Sequence, residues 1–186
     1  GLLDLAEQTG LTRLLPPTLR RLQAMLPKLT GTSGALPELM PPVGPKRARV
    51  ALFLGCVADA MYPETTAATA RVLQQNGCEV VIPRGQVCCG AIHYHSGVEV
   101  PALALARRNI ATFRPDEFDA IIVNAAGCGA MLKDYAHLLA ASERDAAARF
   151  VARVKDVSEF LVELGPIAPK HKVSLKVAYH DACHLC

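Results

Sequence analysis

Cys56, Cys88, Cys89 and Cys128 fall in the pattern Cys56-x31-Cys88-Cys89-Gly90-x37-Cys128, and Cys78, Cys183 and Cys186 bring the total to seven cysteines in 186 residues. Thiolates are soft ligands, suited to iron–sulfur clusters and to zinc. Three chemistries are open to this pattern: an iron–sulfur cluster held by thiolates from several loops, a structural zinc ion, or thiol–disulfide exchange at the vicinal Cys88-Cys89 pair. Zinc ligands usually arrive as two close Cys-x2–4-Cys pairs, whereas among Cys56, Cys88, Cys89 and Cys128 the only close pair is vicinal. A Cys-x-x-Cys redox pair is missing from the same region. The spacing therefore favours an iron–sulfur cluster on Cys56, Cys88, Cys89 and Cys128.

The residues around the cysteines fit that chemistry. Gly55, Gly90, Gly127 and Gly129 flank the four thiols. Without side chains they let backbone N–H groups approach inorganic sulfide, and they tolerate unusual φ. A helix beginning near Cys128 favours negative charge at its N-terminus, and Arg84 is a candidate source of further positive charge. His93 and His95 follow Cys89 on the same loop and are read first as loop histidines bonded to nearby backbone. His180 and His184 are read as packing or capping residues. No Ser/His/Asp set and no paired carboxylates stand out, so any substrate chemistry is expected on a partner.

The elements that must position these thiols are legible from residue 48 onward. Val50–Leu54, Glu79–Pro83, Asp119–Asn124 and Lys176–His180 are short apolar runs that predict buried strands. Pro63-Glu64 predicts a helix start and Gly77 its end. Leu103, Ala106, Ile110 and Phe113 predict a helix ending near Pro115, and Met131, Tyr135, Leu138 and Leu139 another. Phe150, Val154, Val157, Leu161 and Leu164 continue the helical spacing until Gly165-Pro166. The alternation predicts an α/β fold: an open, mostly parallel, Rossmann-like sheet of about four strands with flanking helices. Loops after parallel strands share one edge. Cys56, Cys88, Cys89, Cys128 and Cys183 belong to it. Cys78 precedes its strand, at the opposite edge, and is read as a structural thiol.

Residues 1–47 read as a linker with short helices. Seven of the thirteen prolines lie before residue 46, and Leu11, Leu14, Leu15, Leu19, Leu22, Met25 and Leu26 recur at helical spacing broken by Pro16-Pro17. That leucine face is expected to pack on a neighbouring domain. The run Lys46-Arg47-Ala48-Arg49 is expected to be a solvated linker end. Residues 48–174 form the main domain, and 175–186 the start of a second, truncated unit. A net charge of +3 with scattered basic residues gives no support for nucleic-acid binding. No signal-peptide pattern opens the chain and no apolar run approaches the ~20 residues of a membrane span. A cytoplasmic, thiol-reducing location is expected. The missing initial Met and the close at Cys186 suggest a piece of a longer protein.

Leu54-Gly55-Cys56-Val57, Cys88-Cys89-Gly90-Ala91-Ile92-His93-Tyr94-His95 and Asn124-Ala125-Ala126-Gly127-Cys128-Gly129-Ala130-Met131 together resemble the cysteine-rich CCG domain family. That family is shared by heterodisulfide reductases, lactate-utilisation proteins and glycolate oxidase iron–sulfur subunits. The last branch is the most similar, also through Ala106-Arg107-Arg108-Asn109-Ile110 and Leu132-Lys133-Asp134-Tyr135. The resemblance implies an iron–sulfur electron-transfer subunit with a 4Fe-4S cluster. Its implied partners are flavin-containing dehydrogenase subunits that oxidise a 2-hydroxy acid, with peripheral membrane association through the complex at the inner face. His180-Asp181-Ala182-Cys183-His184 resembles the opening of a second CCG unit, with Cys183 as a ligand there. In the full family motif a Cys-x-x-Cys ends the pattern, and Met131 stands at its second position. The resemblance thus implies an ordinary cubane, a cluster with one substituted ligand, or an empty site. The alternative function is a non-redox interaction module with structural zinc or an empty cysteine site.

Overall fold

The computed structural model describes residues 9–25 and 36–178. The chain divides into two compact units, Gly1–Gly31 and Thr32–Cys186. In the first, a 3-10 turn at Leu11–Leu14 precedes helix α1, Pro17–Ala24. The proline at its first turn lacks an N–H that would have no partner there anyway.

The second unit is a five-stranded α/β sheet. Its strands are β1 (Leu39–Met40), β2 (Ala48–Leu52), β3 (Cys78–Val81), β4 (Ala120–Val123) and β5 (Val154–Asp156), in the spatial order β1-β3-β2-β4-β5. Strands β3, β2, β4 and β5 are parallel, and β1 runs antiparallel along the outer side of β3. The helices are α2 (Cys56–Met61), α3 (Pro63–Gln75), α4 (Ala91–His95), α5 (Glu99–Phe113), α6 (Ala126–Leu138), α7 (Arg144–Val151) and α8 (Val157–Leu164).

The continuous apolar runs of β2 and β4 arise because helices cover both sheet faces. Ala51, Phe53, Ile121 and Val123 point to one face, where they meet Ala102, Ala106 and Phe113 of α5, Leu132 and Tyr135 of α6, and Phe150 of α7. Val50, Leu52, Ala120 and Ile122 point to the other, with Ala70 and Leu73 of α3 and Phe160 of α8. Phe113 joins the first layer, its ring 5.8 Å from Phe53 and 6.0 Å from Phe150. Strand order reverses between β2 and β4, since the chain grows from β2 first to β3 and then to the other side. Such a switch point opens a crevice at the carboxyl ends of the two strands, the usual ligand position in open α/β sheets.

Three of the four expected strands are present with ends shifted by one or two residues. The fourth is not where the sequence suggests. Lys176–Ala178 form no strand, and Tyr179 and His180 lie outside the described residues, as do Cys183, His184 and Cys186. The remaining parallel strand is instead β5, pairing Val154 with Ile121 and Asp156 with Val123. The even helical spacing from Phe150 to Leu164 is a coincidence of two faces. Phe150 and Val154 pack in one layer, while Val157, Leu161 and Leu164 pack in the other. Asp156 ends the strand and starts α8 through a capping box: its side chain accepts from the Ser158 N–H, and Glu159 accepts from the Asp156 N–H.

The basic run that leads into β2 keeps Lys46 and Arg47 exposed, as expected of a solvated end, but it is also tied to the fold. Lys46 and Arg49 both pair with Glu79, holding its carboxyl below the usual range. Arg47 donates to the carbonyls of Asn76 (3.3 Å) and Gly165 (2.9 Å), at the C-terminal ends of α3 and α8. A cation there complements the helix dipole and satisfies otherwise orphaned carbonyls. Gly77 ends α3 at φ +80°, and a Cβ there would sit 2.8 Å from the Pro45 carbonyl oxygen. We expect Gly77→Ala to destabilise the fold by about 1–3 kcal/mol, from left-handed strain plus displacement of the 45–47 segment. Equilibrium urea unfolding measures it, and an unchanged midpoint would contradict the close approach.

Candidate metal centre

Three loops and two helix starts bring four thiols to the carboxyl edge of the sheet. Beyond β2, Leu54 leads through Gly55 to Cys56, the first residue of α2. Beyond β3, residues 82–90 form the loop that carries Cys88 and Cys89. Beyond β4, Cys128 is the third residue of α6. The Cys56 and Cys88 sulfurs are 3.2 Å apart, and those of Cys89 and Cys128 are 3.4 Å apart. All four are free thiols, graded from exposed Cys56 through Cys88 and Cys128 to buried Cys89. Sulfurs separated by 32 to 39 residues of chain thus meet on one rim. They do so as two pairs. Among the described residues, no three His, Cys, Asp or Glu side chains converge on a single point as a mononuclear ion requires.

The loop that bears the vicinal cysteines is held from beneath by a buried polar pair. Asn109 of α5 and Tyr135 of α6 are both fully buried. The Asn109 amide accepts from the Val87 N–H (3.0 Å) and donates to the Cys88 carbonyl (3.1 Å) and to the Tyr135 hydroxyl (3.1 Å). The Tyr135 hydroxyl in turn donates to the Cys89 carbonyl at 2.8 Å. Three successive loop residues are therefore anchored by two side chains from two helices. Gln86 adds a tie to β2, accepting from the Leu54 N–H (2.9 Å) and donating to the Leu52 carbonyl (3.2 Å). None of these anchors stands out in the sequence for its polar group. The signal for Asn109 lies in its register: Ala102, Ala106, Asn109 and Phe113 are all fully buried on one stripe of α5. An amide in such a stripe must find partners, because an unpaired buried polar group is costly.

The glycines divide by role. Gly55 has φ +71°, and a Cβ on it would lie 3.6 Å from the Cys128 sulfur, so its bareness leaves room beside the thiols. Gly90 has φ +89°; its N–H approaches the Cys88 sulfur at 3.5 Å, and a Cβ would press on the Ala102 backbone at 3.2 Å. Gly129 permits close packing of α6 against Val123, while Gly127 has open space around it. Met131, one turn beyond Cys128, is buried in the apolar layer with Leu132 and Tyr135. His93 and His95 are exposed on α4, and the His95 ring meets Tyr94 edge-on. Arg84 is turned toward Leu36 and Glu38, donating to the Leu36 carbonyl at 2.9 Å.

Protonation is unequal across the site. The Cys89 thiol donates a hydrogen bond to the Cys128 sulfur, which pushes Cys89 far up and Cys128 down, and burial adds to the rise at Cys89. Cys128 also lies in the first turn of a thirteen-residue helix, where the dipole favours a thiolate. Burial first, then the bond and charge of Cys88, raises Cys56. A metal that takes all four as thiolates must release the protons held here, so loading weakens as pH falls. Cys78 stands apart, fully buried at the amino end of β3, and burial pushes its thiol to about 11.

The donor set fits an iron–sulfur group: only thiols, drawn from separate loops, with a glycine leaving space beside one of the sulfurs. Comparison with known proteins points the same way. Residues 50–133 match the cysteine-rich domain family called CCG. The whole chain is 43% identical to the "Probable glycolate oxidase iron-sulfur subunit" of Bacillus subtilis, covering 43% of that protein. It is 37% identical, over 78% of its own length and 37% of the relative, to the "Glycolate oxidase iron-sulfur subunit" of Escherichia coli. Over 74% of its length it is 33% identical to "Lactate utilization protein A" of Halalkalibacterium halodurans, covering 57% of it. The chain thus spans about two fifths to three fifths of these relatives. Among the described residues, no helix is long and apolar enough to cross a membrane.

Proposed function

Because residues 50–133 are a cysteine-rich domain of the CCG family, we propose that this chain is part of an iron–sulfur electron-transfer subunit, with Cys56, Cys88, Cys89 and Cys128 as ligands of a 4Fe-4S cluster. The observation that carries the reading is the meeting of these four thiols, as contacts of 3.2 Å and 3.4 Å, at the switch point of the sheet. When bound, such a cluster supplies one-electron storage at a potential set by its surroundings. The chain's own residues hold and shape the site. Asn109 and Tyr135 fix the backbone that carries Cys88 and Cys89, Gly55 keeps space beside Cys128, and buried Cys89 sits on the side away from water.

By analogy with the named relatives, the subunit works beside flavin-containing dehydrogenase subunits that oxidise a 2-hydroxy acid such as glycolate. It hands electrons to a membrane acceptor from the cytoplasmic side. The linker ends ahead of β1, which joins the sheet; β1 together with 48–174 forms the first CCG unit, and 175–186 serve as the opening of a second that uses Cys183. The reading is tested by anaerobic purification and reconstitution, with iron, acid-labile sulfide and zinc measured on the same sample. About four irons per chain with matching sulfide are expected. Stoichiometric zinc without sulfide would replace this reading with a structural metal site.

A further inference from the structure

The four thiols are matched in an order that chain proximity does not dictate. Cys88 and Cys89 are neighbours in sequence, yet each sulfur faces a different loop: Cys88 meets Cys56 and Cys89 meets Cys128. Below them the Cys88 carbonyl is bound by Asn109 and the Cys89 carbonyl by Tyr135, so both peptide units that carry the thiols are fixed. Separations of 3.2 Å and 3.4 Å are non-bonded contacts, roughly an ångström longer than a disulfide bond.

We propose that the metal-free protein has a second defined state in which Cys56–Cys88 and Cys89–Cys128 are disulfides, and that this oxidation closes the site to metal. The oxidant class is a low-molecular-weight disulfide such as glutathione disulfide. The exposed Cys56 thiolate attacks one of its sulfurs, forming a mixed disulfide and releasing one glutathione thiol. Cys88 then attacks the Cys56 sulfur of that mixed disulfide and expels the second glutathione. One disulfide is broken for each one formed, and the two cysteine protons end on the two glutathione thiols. Cys128 and Cys89 repeat the sequence, so two glutathione disulfides are consumed and four glutathiones released. The product joins the loops after β2 and β3 by one link and the loop after β3 to α6 by the other. It removes every thiolate that a metal would need. A dithiol reductant reverses it. The disulfide pairing does not depend on the cluster reading, whereas the closure to metal rests on it.

The full chain tests it, carrying Cys183→Ser and Cys186→Ser so that five cysteines remain. Reduced, metal-free protein is treated with glutathione disulfide, quenched with acid and mapped by mass spectrometry of peptides. Four possible partners allow three connectivities. The expected result is loss of four free thiols, retention of Cys78 as a thiol, and links Cys56–Cys88 and Cys89–Cys128, with circular dichroism unchanged. Cys56→Ser should abolish only the first link. A dominant Cys88–Cys89 link, crossed pairs, or persistent glutathione adducts on all four cysteines would overturn the proposal. Iron and sulfide uptake gives the second readout: it is lost on oxidation and regained with dithiothreitol. Should no iron bind in either state, the cluster reading fails while the peptide map still decides the pairing. Full uptake by mapped, oxidised protein would overturn the closure.

Discussion

Cys89→Ser should remove most of the bound iron and acid-labile sulfide, since disturbing even the supporting shell of a metal site weakens affinity roughly 10–100-fold. Cys89 is the buried member of the four, with 3% of its surface exposed, and its sulfur lies 3.4 Å from that of Cys128. Serine keeps the shape but offers a shorter, harder oxygen whose proton is far more tightly held than a thiol's. It cannot serve as a soft anionic ligand at neutral pH. Reconstitution under argon, followed by iron and sulfide assays and visible absorption, reads the effect. Cys78→Ser is the matched control. That thiol lies at the other end of the sheet, and iron content should stay at the parent level. Undiminished loading in Cys89→Ser would remove Cys89 from the ligand set.

Asn109→Ala should destabilise the reduced, metal-free protein by about 2–4 kcal/mol, because it strands several buried polar groups at once. The Val87 N–H loses its acceptor, the Cys88 carbonyl loses its donor, and the Tyr135 hydroxyl keeps only its bond to Cys89. The site is too deep for water to substitute freely, since Asn109 and Tyr135 are both fully buried. For a domain whose total stability is of order 5–15 kcal/mol, that is a large fraction. Urea unfolding should show a lower midpoint with little change in slope. A midpoint equal to the parent's would mean that the loop is held by other contacts.

The apolar strands are readable from sequence because both of their faces are covered. Val50-Ala51-Leu52-Phe53 and Ala120-Ile121-Ile122-Val123 leave little room for another interpretation. The shared rim of Cys56, Cys88, Cys89 and Cys128 follows from the same logic, since parallel strands end on one side. Strand β5 is hidden because Phe150, Val154, Val157, Leu161 and Leu164 happen to keep helical spacing while serving two different layers. Tyr135 is visible in the sequence only as an apolar helix residue. Its hydroxyl's role depends on a carbonyl 46 positions away, which no local window contains. The pairing of Cys88 with Cys56 and of Cys89 with Cys128 is equally out of reach, because it joins loops 32 and 39 positions apart. The basic run at residues 46–49 is half legible: its solvation follows from its charge, its ties to the fold do not. Here two helix ends and Glu79 supply carbonyls and a carboxylate within reach.

The two-residue strand β1 has a consequence out of proportion to its length. It arises in a proline-rich stretch that composition alone assigns to a tether, and it lies along the outer flank of β3 by pairing Leu39 with Val81 and Met40 with Val80. The Glu38 carbonyl also takes the Ile82 N–H at 2.8 Å. Without that cover, β3 would offer a bare row of amides to any passing chain, the starting template for polymerisation. The prolines at Pro37, Pro41 and Pro42 then act as a guard on the guard, since they have no N–H with which to recruit a further strand.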